Sequence, residues 1–375
     1  MILVFASLLL SFFLFTVKSK NRKGNVFLGL YLLINALDNS SYFYHSFLNL
    51  TPTVEMIRIE IGSFLKWPFL FLFVLTILFS NFRLRLRHFL HLVPLVLNTL
   101  ILLPRFYLVD YNGKILLFKD HTHSFEGSFT IIFSHVQLAF YIISIFFLLA
   151  RYKKILLENY SISDRANYSW LLQMNGFLTG LFIVSIVQNF YKYEYYGAKI
   201  TEYRLLMSLA QLAFTCWLVL KAMYAPKIFS GVDSNLQLVS TYAGNSMSND
   251  NGSELKGEAS EKSIQQIAVL KEYMIKNEPY MNPGLTIKDL AKQIGMDVRE
   301  TSLLINHTLN QNFYDFINRY RIDKAMDILK NPGYKKLTIL EILYQVGFNS
   351  KSSFNTSFKK QTGLTPTDYR KKHSK

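Results

Sequence analysis

The sequence predicts an all-α chain in two parts, a seven-helix transmembrane bundle followed by a soluble domain of two helix-turn-helix units. Three observations carry this reading. Long apolar runs crowd residues 1–225 and stop there. A stretch rich in Gly, Ser and Asn follows, GNSMSNDNGSELKGEASEKS. Beyond it helical periodicity returns, and one twelve-residue pattern occurs twice, LTIKDLAKQIGM from Leu285 and LTILEILYQVGF from Leu337, with five positions identical.

The apolar runs come first. Residues 1–17 carry no charge, and the basic cluster Lys18, Lys20, Arg22 and Lys23 follows the run instead of preceding it. A secretory signal peptide has the opposite order, so this run reads as a retained span. Six further runs lie at 26–47, 61–80, 88–103, 129–150, 170–190 and 203–224. A bilayer core takes about 20 helical residues, which several of them supply. Loops after the first, third and fifth runs hold eleven basic residues against two acids, Glu158 and Asp164. Loops on the other side are close to charge balance. The positive-inside rule then sets the N-terminus outside and everything after the seventh run in the cytoplasm. The single cysteine, Cys216, lies in the seventh run and excludes an intramolecular disulfide.

Residues 226–262 read as a flexible linker, too poor in large apolar side chains to fold alone. A coil of about 37 residues reaches roughly 30–35 Å on average. Residues 263–375 form the soluble domain. Ile264, Ile267, Ala268, Leu270, Tyr273 and Met274 mark a first amphipathic helix from Ser263. Thr286 with Asp289, and Thr338 with Glu341, have the Thr-x-x-acid spacing of a reciprocal capping box. Each box opens a short helix that ends at a glycine, Gly295 or Gly347, and leads into a second helix, at 298–309 and 350–361. Between the units, residues 313–330 make an amphipathic helix about 27 Å long. Adjacent major grooves on one DNA face lie about 34 Å apart, compatible with two readers joined by such a helix.

The soluble domain resembles the AraC/XylS family of bacterial transcription regulators over roughly 263–372. The resemblance rests on Asp289-Leu290-Ala291, Ile294-Gly295-Met296, Phe313, Phe316-Ile317-Asn318, Arg321-Ile322, Ala325, Leu329, Ile339, Ile342, Val346-Gly347-Phe348, Phe354, Phe358-Lys359-Lys360, Gly363, Thr365-Pro366 and Tyr369-Arg370. It implies an AraC-type double helix-turn-helix fold, a double-stranded DNA partner and a homodimer as a candidate state. With the apolar runs it implies a multi-pass protein of the bacterial cytoplasmic membrane whose spans sense an unknown signal ligand. Leu343 stands where the family has a small Ala, and Leu303 and Thr356 replace polar or basic residues common there.

Charge locates the grip on DNA. Residues 263–375 carry net +8, of which the first unit holds +1 and the second unit with its tail +7. Phosphate neutralisation dominates non-specific DNA affinity. Lys351, Lys359, Lys360, Arg370, Lys371 and Lys372 are the phosphate candidates. Asn349, Ser350, Ser352, Asn355 and Thr356 are candidates for bases or phosphates on the second reader, and Arg299, Ser302 and Asn306 on the first. Phe354 and Phe358, four apart, belong to the core.

Polar residues inside the spans are costly in lipid and are the leads for sensing. They are Asn35, Asp38, Asn39, Lys66, His135, Gln137, Gln173, Asn175 and Gln211, with Asp38, Lys66, His135 and Gln137 as candidate ligand-binding residues. Asp38 and Lys66 come to similar depths, which allows a buried ion pair; helix glue is the plainer reading of the two. His121 and His123 in an outer loop lack the further ligands a metal needs, and no metal site or cofactor is expected. No Walker loop, kinase motif, zinc-deaminase pattern or nucleophile elbow occurs, so no enzymatic activity is expected. A transporter or membrane enzyme coupled to a fused DNA-binding domain, and a passive membrane anchor, are the alternatives.

Overall fold

The computed structural model describes residues 1–19, 21–41, 50–79, 81–119, 124–161, 165–194, 199–224 and 255–373. The described residues are mainly helical, and an isolated antiparallel bridge pairs Tyr160 with Thr286. The chain divides into two compact units, Met1–Ala150 with Ala166–Ser234, and Arg151–Arg165 with Asn235–Lys375.

The first unit holds α1 (Ile2–Thr16), α2 (Arg22–Asn39), α3 (Pro52–Phe64), α4 (Lys66–Leu78), α5 (Val93–Leu102), α6 (Tyr111–Lys119), most of α7 (Phe125–Asn159), α8 (Arg165–Glu194) and α9 (Lys199–Tyr224). Among the described residues, four helical stretches are long and apolar enough to cross a membrane: Pro52–Leu78, Leu86–Tyr107, Phe125–Asn159 and Tyr168–Val187. The helices at Ile2–Thr16 and Leu205–Lys221 are apolar but shorter. The first two helices meet closely: Ser11 donates its hydroxyl to the Gly29 carbonyl at 2.8 Å, and a Cβ at Gly29 would stand 2.6 Å from the Phe15 ring. Small residues at such crossings let apolar helices pack without a hydrophobic driving force. The third apolar run is broken at Leu65 into α3 and α4, with Pro68 just inside α4, where a missing N–H costs little.

Two expected boundaries move. The run ending at residue 150 continues as helix to Asn159, because Tyr152, Ile155 and Leu156 keep a buried apolar face at helical spacing. The first helix of the soluble domain starts at Leu255, ahead of Ser263, since LKGEASEK consists mostly of helix formers. The rest of the expected linker, 225–254, lies outside the described residues, as do His121 and His123.

The second unit holds α10 (Leu255–Asn277), α11 (Ile287–Ile294), α12 (Val298–Leu303), α13 (Phe313–Lys330), α14 (Ile339–Gln345), α15 (Lys351–Thr362) and α16 (Pro366–His373). It has two cores joined by one helix. Leu270, Met274, Leu290 and Ile305 pack with Phe313, Phe316 and Ile317 from the first half of α13. Ile342, Val346, Phe354 and Phe358 pack with Ile322, Ala325, Ile328 and Leu329 from its second half. Leu343 is fully buried in that second core, so the bulk that departs from the family pattern is packed. A rigid shared helix therefore fixes the relation between the two helix-turn-helix units.

Candidate nucleic-acid interface

Both capping boxes form. Thr286 Oγ1 accepts from the Asp289 N–H at 3.2 Å, while Asp289 accepts from the Thr286 N–H at 3.1 Å. The second box repeats this at 3.1 and 2.6 Å between Thr338 and Glu341. These hydrogen bonds hold the Glu341 carboxyl below its usual range, the backbone N–H of Thr338 being the largest cause. Gly295 ends α11 in the left-handed region at φ 67°, which a residue with a Cβ resists.

The two turns are not equivalent. A Cβ at Gly295 would meet nothing within 4 Å. At Gly347, φ 91°, it would lie 2.6 Å from the Tyr280 carbonyl oxygen and 2.8 Å from that of Met281. The second unit's turn thus presses on the 3₁₀ turn Pro279–Met281 that precedes the first unit. Arg321 seals this junction from α13. Its guanidinium is 1 % exposed, donates to the carbonyls of Tyr280 at 2.7 Å and Asn282 at 2.9 Å, and lies 5.5 Å from the Phe348 ring centre. Burial pulls its pKa down to about 10, which leaves it charged at neutral pH. Nearby, Lys324 holds the Glu278 carboxyl below its usual range through a 2.6 Å hydrogen bond.

The first reader runs as one helical stretch over 298–308, α12 (Val298–Leu303) continuing as a π-helical turn over Leu304–Thr308. Asp297 caps its start by accepting from the Arg299 N–H at 2.7 Å. Arg299 is exposed and Asn306 half-buried, but Ser302 is 4 % exposed. Ser302 faces inward with Thr301, Leu304 and Ile305, and its carbonyl and hydroxyl accept from the Asn306 side chain at 2.9 and 3.3 Å. The expected outward face at Ser302 is thereby corrected: the helix turns this residue into the domain.

The second reader, α15, follows Ser350, whose hydroxyl accepts from the Ser353 N–H at 3.2 Å and is engaged as a cap. Asn349, Lys351, Ser352, Thr356, Lys359 and Lys360 are exposed, and Asn355 is half-buried. Thr356 turns its hydroxyl back to the Ser352 carbonyl at 2.8 Å. Lys360 bridges to Asp315 of α13 at 3.0 Å with both side chains partly exposed. In α16, Lys371 and Lys372 are exposed and Arg370 is half-buried. Phe354 and Phe358 are fully buried. The exposed face therefore brings Lys351, Lys359 and Lys360 together with small polar groups on one helix, suited to phosphates and base edges in a groove.

In the first unit, Lys66 donates to Asp38 at 2.5 Å, forming the expected pair. Sequence reasoning did not include two further members. Arg58 donates to the Asp38 carbonyl at 2.8 Å and pairs with Glu55 at 2.7 Å, giving two acids and two bases. A Cβ at Gly62 would stand 2.6 Å from Asp38 Oδ1, so the glycine makes room for the carboxylate. His135 is engaged with Ser185 at 3.1 Å and the Ile131 carbonyl at 2.7 Å, while Gln137 donates to the Phe64 carbonyl at 3.1 Å. These residues satisfy different helices. A second polar knot was assigned to no site from the sequence: buried Glu60 accepts from Asn98 at 3.0 Å, Thr99 at 2.7 Å and Tyr107, and Thr130 donates to Asn98 at 2.8 Å. The charge pattern put Glu60 in a loop, which hid it.

Residues 290–372 match a family of helix-turn-helix domains. Over 90 residues the chain is 32% identical to the uncharacterized HTH-type transcriptional regulator YdeC of Bacillus subtilis, covering 24% of this chain and 30% of that protein. Over 88 residues it is 28% identical to the Msm operon regulatory protein of Streptococcus mutans, covering 24% and 31%. Another relative, the uncharacterized HTH-type transcriptional regulator SACOL0084 of Staphylococcus aureus, is 32% identical over 94 residues, covering 25% of this chain and 12% of that protein. The chain thus spans less than a third of the length of these relatives. No solved structure matches it. The C-terminal domain is an AraC-type helix-turn-helix domain.

Proposed function

We propose that the chain is a membrane-embedded, sequence-specific transcription regulator. Its spans receive a signal, and its cytoplasmic domain reads double-stranded DNA. The observation that supports this best is the C-terminal domain itself: two capped helix-turn-helix units fixed on one helix, with exposed lysines on the second reader and an amino-terminal region that holds four stretches able to cross a membrane. A regulator anchored this way has its reader on the cytoplasmic side, an orientation that the excess of basic residues in alternate loops supports.

The test is direct. The full chain, reconstituted in lipid vesicles with the domain facing out, is titrated against a library of genomic DNA fragments at several salt concentrations. Enrichment of a small set of fragments that persists as salt rises is expected. Uniform weak binding that disappears with salt would remove the sequence-specific reading.

A further inference from the structure

Residues 151–161 join the DNA-binding domain in one compact unit, although the sequence assigns them to a loop of the membrane region. Their attachment is specific. The Ser161 N–H donates to the Leu285 carbonyl at 3.1 Å, and its hydroxyl donates to the Pro283 carbonyl at 3.3 Å. Tyr160 pairs with Thr286, the cap of the first helix-turn-helix unit, in an antiparallel bridge. Arg321 completes the socket by donating to the Ser161 carbonyl and hydroxyl, both at 3.1 Å. Ser161 is 1 % exposed. A buried guanidinium with no carboxylate among these partners depends on such neutral acceptors for the hydration it has lost.

One turn earlier, Lys154 and Glu158 line a polar groove of about 270 Å³ with Asn306, His307, Gln311 and Asn312. Asn306 sits on the first reader. A duplex engaging that reader comes beside the docked segment and its Glu158 carboxylate, which pairs with Lys154 at 3.9 Å. The segment also continues α7, the helix Phe125–Asn159, so it connects a membrane-length helix to the reader without passing through residues 225–254.

We propose that residues 151–161 are an inhibitory latch, in which the cytoplasmic end of α7 docks on the first helix-turn-helix unit and opposes its engagement with DNA until the membrane region draws the segment away. The inhibitory part rests on the DNA-binding reading above; the docking does not. Position 161 is linked to the first unit by backbone as well as side-chain bonds.

The experiment uses the full chain in lipid vesicles, with Cys216→Ala to remove the native thiol. Ser161→Cys and Leu156→Cys are labelled with a membrane-impermeant maleimide and compared with Lys154→Cys, whose side chain is 53% exposed. Labelling at 161 and 156 at least about tenfold slower than at 154 is expected. Equal rates at all three positions overturn the docking. In parallel, affinity is measured for a duplex enriched from genomic fragments by the unmodified chain. Ser161→Pro, which removes the N–H and the hydroxyl, is expected to tighten binding at least about threefold. Glu158→Gln, which keeps the segment docked but removes the charge, is expected to shift affinity the same way and serves where Ser161→Pro does not fold. Unchanged or weaker binding by folded Ser161→Pro, or by Glu158→Gln where it does not fold, overturns the inhibitory role. If no duplex is enriched with any variant, the DNA-binding reading fails and takes the inhibitory role with it, while the labelling rates still decide the docking.

Discussion

The equivalent glycines of the repeat, Gly295 and Gly347, offer a paired perturbation whose two magnitudes differ for a structural reason. Both have positive φ, 67° and 91°, so an alanine at either incurs the left-handed penalty of about 1–2 kcal/mol. At Gly295 nothing more is added, because a Cβ there meets open space. At Gly347 the Cβ lands 2.6 and 2.8 Å from two backbone carbonyl oxygens, well inside the 3.4 Å at which ordinary contact begins. Those oxygens belong to a turn that cannot swing aside freely, since the Tyr280 carbonyl already accepts from Arg321 at 2.7 Å. Overpacking of this kind costs about 1–3 kcal/mol more. Gly295→Ala is therefore expected to cost about 1–2 kcal/mol and Gly347→Ala about 2–5 kcal/mol. Pulse proteolysis of the full chain in vesicles across a urea series reads the stability of the C-terminal domain directly. Equal losses at the two positions, or a larger loss at Gly295, would refute the argument that Gly347 is required by close approach between units and not by turn geometry alone.

Three further outcomes follow from the sites. Lys359→Ala and Lys371→Ala are each expected to lower the slope of log affinity against log salt by about one, with little change in which fragment is preferred; an unchanged slope would remove that lysine from the phosphate contacts. Glu341 has a folded pKa below its unfolded value, so its charge stabilises the domain at neutral pH and that contribution is lost as pH falls below the usual carboxylate range. The stability gap between the native chain and Glu341→Gln is accordingly expected to be open at pH 7 and to narrow as the pH falls below the usual carboxylate range, as followed by urea melts at each pH. In the amino-terminal unit, Asp38→Lys or Lys66→Asp alone is expected to destabilise the bundle, and the double reversal to recover part of the loss in a thermal melt in detergent; additive losses would mean the 2.5 Å pair contributes little beyond its neighbours.

Much of this was legible in the sequence because it was written in local signals. A Thr three residues before an acid leaves few alternatives to a helix start, and both capping boxes form where the spacing places them. The apolar spacing of 313–330 located the connecting helix to the residue. The Asp38–Lys66 pair was readable because the two charges sit at similar depth where isolated charges are expensive. Harder features depend on contacts distant in sequence. Ser302 was expected outside because a polar residue on a reader helix looks solvated, and only its packing against the rest of the domain shows that it is buried. Glu60 was hidden because its partners, Asn98, Thr99 and Tyr107, lie 38 to 47 residues away. The docking of Ser161 on Arg321 joins positions 160 apart, and no local pattern announces it.

The repeat is therefore a duplication whose copies have diverged in what surrounds them. The second copy carries the charge, +7 against +1, and an exposed basic reader. Its turn is also the crowded one, pressed through Gly347 onto the segment before the first unit. The first copy has an open turn, a reader with an inward Ser302, and the docked segment at Thr286. Arg321 touches both sides of this division: it holds the turn that Gly347 abuts and the serine that docks on the first unit. Displacing Ser161 withdraws two of its acceptors at once and leaves the carbonyls of Tyr280 and Asn282, at the turn before the first unit, and the side-chain oxygen of Asn318. Arg321 therefore contacts both the docked segment at Ser161 and Phe348, which follows the second copy's turn.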